Sequence, residues 1–158
     1  MDLKMVAKQK DDDAEANGEF VVTPSLKIPE SRVKDLICTG FEGGVGYWCQ
    51  IIDYEFASGL SLSDFKMGGK MQDPDSYYHP SELIPFTKGC ATICQEMDDE
   101  EPNPNPERKL DRAAIDKGLG IMMNKYPHNW DNFINEDEDA CTGDVFIQCC
   151  LLGKVIYG

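Results

Sequence analysis

The chain lacks any apolar run near the roughly 20 residues needed to cross a bilayer, so no transmembrane helix is expected. Its start, Met1-Asp2-Leu3-Lys4, also lacks the apolar block of a signal peptide, and a reducing cytosol is the expected compartment. Positive charge is scarce: 15 Lys and Arg stand against 29 Asp and Glu, a net charge of -14. A surface that acidic repels phosphate backbones and anionic headgroups, which argues against direct nucleic-acid or membrane binding. The seven cysteines are an odd number, so a fully paired disulfide framework within one chain is excluded. Cys90 and Cys94 come near zinc-ligand spacing, but only His79 and His128 remain to join them, and no metal or other cofactor is expected. Signature motifs are missing as well. There is no phosphate-binding P-loop, no nucleophile elbow and no His-Glu-x-x-His, so the chain is read as a non-enzyme.

What is present is a core. Hydrophobic residues make up 41% of 158 positions, enough for one domain. Residues 1–18, with the block Asp11-Asp12-Asp13-Ala14-Glu15, read as an acidic, disordered leader. Residues 19–158 read as a single domain interrupted by a long loop insertion at 57–88, where Gly and Pro break any regular element. A first strand is expected from Glu19 to Ile28, broken or at an edge because Pro24 cannot donate to a ladder. Val33, Leu36, Ile37 and Phe41 recur on one helical face, and Tyr47 to Phe56 follows as a strand with apolar residues on both faces, expected to be central. Gly89 to Met97 and Arg108 to Leu110 suggest a hairpin. Asp111 caps a helix that Pro127 stops, and a last helix runs from about Ala140, with Gly153 either ending it or tolerated within it. The fold class that follows is α+β: a small antiparallel sheet of three to four strands with three main helices packed mainly on one face.

The stretch Phe41-Glu42-Gly43-Gly44-Val45-Gly46-Tyr47-Trp48-Cys49 joins the first helix to its strand. One reading makes it a helix stop followed by core aromatics. The other makes it a small-molecule site: Gly43 and Gly44 offer unhindered backbone N–H groups, Glu42 an acceptor, and Tyr47 and Trp48 stacking faces. Strand alternation lets only one aromatic face a ligand, with Tyr47 as the contact and Trp48 as core. Tyr77 and Tyr78 in the insertion, with Phe65 and His79 nearby, are candidates to close over a bound ring. The insertion could equally be a surface excursion with its own small apolar cluster. Glu42 and Asp144 are a further candidate pair of carboxylates.

The helix-FEGGxxYW-strand block, together with Asp139-Ala140-x-Thr142-Gly143-Asp144-Val145-Phe146-x-Gln148 and the closing Tyr157-Gly158, resembles a family of small, uncharacterised bacteriophage proteins. The likeness covers residues 20–56 and 89–158 and leaves out the leader and the insertion. It implies a setting, the cytoplasm of a bacterial host, and through that setting an accessory role against host immunity. The expected function is therefore non-enzymatic binding of a small, nucleotide-like ligand, sequestering a host immune signal. The alternative is an acidic protein-binding inhibitor of a host defence protein, a nucleic-acid mimic. The expected partner is accordingly a small molecule or a host defence protein, and self-association into a homo-oligomer is left open.

Overall fold

In the computed structural model the described residues are 4–6, 18–66, 68–71, 79–97 and 105–158. Most of the acidic leader, as well as Tyr77 and Tyr78, lies outside them. The chain divides into two compact units, residues 1–33 and 34–158, whereas the sequence reading places a boundary at residue 18. In the first unit β1 (Lys4–Val6) pairs antiparallel with β2 (Thr23–Ser25). The strand expected over Glu19–Ile28 is thus only three residues long, and Phe20, Val21 and Val22 before it are exposed. Pro24 explains the brevity, since a strand built on it has no donor at its centre.

The second unit is α+β. Helix α1 (Glu30–Thr39) leads into a π-turn over Gly40–Gly44, then into β3 (Cys49–Glu55). β4 (Ala91–Glu96) and β5 (Glu107–Leu110) complete a three-stranded antiparallel sheet in the order β3-β4-β5. The hairpin read from the sequence is present, with Thr92 opposite Leu110 and Gln95 opposite Glu107. The expected central strand is not central: β3 lies at an edge, its register shifts between Ile51 and Asp53, and Ile52 is exposed. β4 takes the middle, with Ala91, Thr92, Ile93 and Cys94 all buried.

Three helices follow, α2 (Arg112–Lys125), α3 (Pro127–Ile134) and α4 (Ala140–Leu152). Each start is written locally. Asp111 accepts from the Ala114 N–H at 2.9 Å, Pro127 occupies the first position of α3, and Asp139 accepts from the Thr142 N–H at 2.9 Å. That last bond, with a second from the Thr142 hydroxyl, holds the Asp139 carboxyl below the usual range. Gly153 closes α4 at φ 74, a left-handed cap that favours glycine. Residues Thr142 to Leu151 are buried on every side, the signature of a helix inside a core rather than on its surface. The other helices pack around it: α2 and α3 touch α4, and α2 and α4 both reach β5.

The 57–88 insertion builds a satellite core. Phe65, Ile84 and Cys90 are buried, with Tyr54, Phe56, Leu60 and Leu83 packed on them, and Phe56 stacks on Phe65 at 5.8 Å. All seven cysteines are free thiols. Burial raises Cys149 to about 12 and pushes Cys150 and Cys94 up as well, Cys94 chiefly through its hydrogen bond with Cys49. Cys141 is exposed. Native labelling with a thiol reagent should therefore modify Cys141 first and leave Cys94, Cys149 and Cys150 unreacted until the protein unfolds. Early modification of both Cys149 and Cys150 would contradict the position of α4.

Candidate functional site

The glycines of the opening stretch meet α4. The Val45 N–H reaches back to the Gly40 carbonyl at 3.0 Å and closes the π-turn, a wider helical turn than the α-form. A methyl group on Gly40 would stand 2.9 Å from the Gly143 carbonyl oxygen, and one on Gly143 would stand 2.5 Å from the Gly40 nitrogen. One on Gly44 would lie 2.5 Å from the Ala140 carbonyl oxygen. Close approach is indeed what these residues provide, but to a helix backbone. Gly43 is exposed, with Ala140 Cβ 3.3 Å from where its own methyl would be, and Glu42 is exposed on the same turn.

The two aromatics converge on one carboxylate of α4. Trp48 is 1% exposed and donates its indole N–H to Asp144 Oδ1 at 2.7 Å. Tyr47 keeps 55% exposure yet donates its hydroxyl to Asp144 Oδ2 at 2.7 Å. Desolvation of that hydroxyl and the carboxylate beside it raise Tyr47 to about 12. Gln148, one turn along α4, gives its amide to Asp144 Oδ1 at 3.1 Å and to the Tyr157 carbonyl at 3.0 Å. Its own oxygen accepts the N–H groups of Ile156 and Tyr157 at 2.7 and 2.9 Å. Tyr157 stacks on Trp48 at 5.1 Å and donates to Glu96 Oε1 at 2.7 Å, while Arg108 holds Glu96 Oε2 at 3.1 Å.

This network ties the last residues to the π-turn, the sheet and α4. Each polar atom has a partner, so the buried groups are satisfied and rigid. Trp48 is core and the hydroxyl of Tyr47 is engaged within the fold; both lie in the turn before β3, not in the strand expected from Tyr47. Sequence reasoning named Asp144 but missed Gln148, Tyr157, Glu96 and Arg108. A signal existed: Asp144 and Gln148 are an i, i+4 polar pair on a helix otherwise apolar, which marks a buried network.

A second cluster lies where the insertion returns. His79 stacks on Phe41 with ring centroids 5.5 Å apart and planes 5° from parallel. Its Nδ1 accepts the Ser81 N–H at 3.1 Å, so the neutral ring carries its proton on Nε2. Burial holds His79 below its ordinary value, with Glu42 opposing. Burial and then the carboxylates of Glu82 and Glu42 drive the Cys38 thiol well up, so it remains a thiol at neutral pH and not a nucleophile. Glu82 itself is 3% exposed, and its Oε2 has no hydrogen-bond partner. Among the described residues no three His, Cys, Asp or Glu side chains are placed to hold a metal ion.

The third feature is a groove of about 460 Å³. Pro85, Phe86 and Ala91 give it apolar surface, and Lys88, Lys109 and Arg112 bring cations to it beside Glu55 and Asp111. It opens where the turn Ile84–Phe86, the ends of the sheet and the start of α2 meet. Lys109 pairs with Glu55 at 2.5 Å on the exposed rim. None of Glu42, Gly43, Gly44, Tyr47 and Trp48 lines it. Among the described residues no helix is long and apolar enough to cross a membrane. No protein-family model, no curated protein and no solved structure matches the chain.

Proposed function

We propose that the protein is a non-enzymatic binder of a small, anionic, nucleotide-like ligand, which it holds in this groove and thereby withdraws from a host immune pathway. The observation that carries the reading is the groove, whose volume lies in the range of small-molecule sites. Apolar surface on Pro85 and Phe86 suits a ring. Lys88 and Arg112 suit a phosphate, and they are notable on a chain of net charge -14, where cations are outnumbered. Sequestration by a small phage protein rests on the family resemblance. Titrating mono-, di- and cyclic nucleotides by calorimetry against the wild type and Lys88→Glu tests it. A charge-assisted contact contributes about 1.5–3 kcal/mol, so Lys88→Glu should weaken binding roughly 10- to 150-fold. Absence of binding by any nucleotide, or unchanged affinity in folded Lys88→Glu, would overturn the reading.

A second reading, a protein-binding inhibitor, is favoured by one observation: Phe20 is 96% exposed and Val21 and Val22 are 52% and 55% exposed, a continuous apolar run. Basic host protein captured by the wild type and lost with Phe20→Ser would support it.

A further inference from the structure

Glu82 sits in a turn that continues directly into the groove. The Leu83 N–H bonds to the Pro80 carbonyl at 3.1 Å, and Phe86 and Thr87 repeat the pattern to Leu83 and Ile84, giving two consecutive 3₁₀ turns. The side chain points away from water, and Oε2 is left unpaired. A buried carboxylate oxygen without a donor is costly when charged and much less so when the group is neutral. The groups that act on Glu82 pull both ways: the Cys38 hydrogen bond and Lys34 ease its charge, and Asp35 and Glu42 oppose it. From α1 come the Cys38 thiol, which hydrogen-bonds to it, the like charge of Asp35 and the single cation Lys34; from the π-turn comes the like charge of Glu42. His79 on the same segment is held toward its neutral form by burial. On the sheet side the neighbouring Ser81 hydroxyl accepts from Thr92 at 3.1 Å, so that contact is uncharged. Lys34 is also engaged elsewhere, its ammonium 5.2 Å over the ring of Phe86, which lines the groove.

We propose that Glu82 is a proton-operated catch: protonated, it lets the turn Pro80–Phe86 seat against α1, and ionised, it loosens that turn and with it the Pro85–Phe86 wall of the groove. Ionisation creates an unpaired buried charge beside two other carboxylates and draws Lys34 away from Phe86. The consequence for binding rests on the groove reading above; the catch itself does not. Burial, with Asp35 and Glu42 adding to it, raises Glu82 above the ordinary glutamate value. The folded state therefore binds this proton more tightly than the unfolded chain. Its stabilising contribution is complete below the ordinary glutamate value and is lost as pH rises through the folded one.

Hydrogen exchange read by mass spectrometry on the ligand-free protein, corrected for intrinsic exchange, tests the catch at about pH 4, below the ordinary glutamate value, and at about pH 8. Protection of the backbone amides of residues 81–88 should fall between the two by about tenfold for each unit by which Glu82 is raised. Glu82→Gln, an uncharged isostere, should keep those amides protected at both values. Should that variant fail to fold, Glu42→Gln, at an exposed position, removes one opposing charge and should shrink the pH effect. Equal protection of the wild type at both values would overturn the proposal. So would a pH effect that persists unchanged in folded Glu82→Gln, or in Glu42→Gln where Glu82→Gln does not fold. Because no ligand is present, failure here leaves the groove reading standing, and a groove that binds nothing leaves the catch standing.

Discussion

Replacing Gly143 with alanine should destabilise the protein, although alanine is the better helix former by about 1 kcal/mol. The added methyl would stand 2.5 Å from the Gly40 nitrogen and 2.7 Å from its Cα, both backbone atoms that cannot rotate away. Relief requires α4 and the π-turn to separate, which also disturbs the contact of Gly44 with Ala140. Overpacking of this kind costs about 1–3 kcal/mol, and Gly143→Val should cost more and compromise folding. Gly120 of α2 is the control, because a methyl there meets nothing within 4 Å. Gly120→Ala should raise stability by about 0.5–1 kcal/mol. Opposite signs for two Gly→Ala changes in helices, measured by urea denaturation, follow from the packing alone. Stabilisation by Gly143→Ala would contradict the close approach.

Asp144→Ala should cost more than Gly143→Ala. It strips the acceptor from the Trp48 indole, the Tyr47 hydroxyl and the Gln148 amide at once, and two of these three residues are fully buried. Leaving such donors unpaired costs about 1–3 kcal/mol each at most, with incomplete additivity, so a loss of roughly 3–5 kcal/mol is expected. For a chain of this size that lowers Tm by about 10 °C or more. Asp144→Asn keeps an acceptor oxygen and should lose less than half as much. Near-ultraviolet dichroism should report release of Trp48 from Tyr157 in the alanine variant. A thermal melt indistinguishable from wild type would show that the network does not hold the fold.

The local writing of this chain is legible where one residue decides. Asp111 and Pro127 announce a helix start and a helix stop because a side-chain oxygen or a missing N–H decides at a single position. The β4–β5 hairpin was legible from the Pro-rich connection between the apolar run of β4 and the short segment Arg108–Leu110. The exchange of β3 and β4 between edge and centre was not, since strand order depends on which chain segment returns beside which. The π-turn was equally hidden. A glycine cluster after a helix reads as a stop, and only the positions of Gly143 and Ala140, about a hundred residues on, explain why Gly40 and Gly44 must lack side chains. Trp48 is buried and Tyr47 exposed, but both lie in the turn before β3, so strand alternation is not the cause, and their shared partner Asp144 is a tertiary fact. The groove is assembled from short pieces of five elements, and the insertion's Glu82 looks like any loop glutamate until its burial is seen.

The division between a structural glycine–aromatic stretch and a separate binding groove is tested most directly by backbone amide chemical shifts during a nucleotide titration. Binding in the groove should move the amides of Thr87 to Ala91 and Lys109 to Ala113 and leave those of Gly43 to Trp48 in place. Shifts centred on Gly43 to Trp48, with the groove silent, would contradict it and return the ligand to the aromatic stretch.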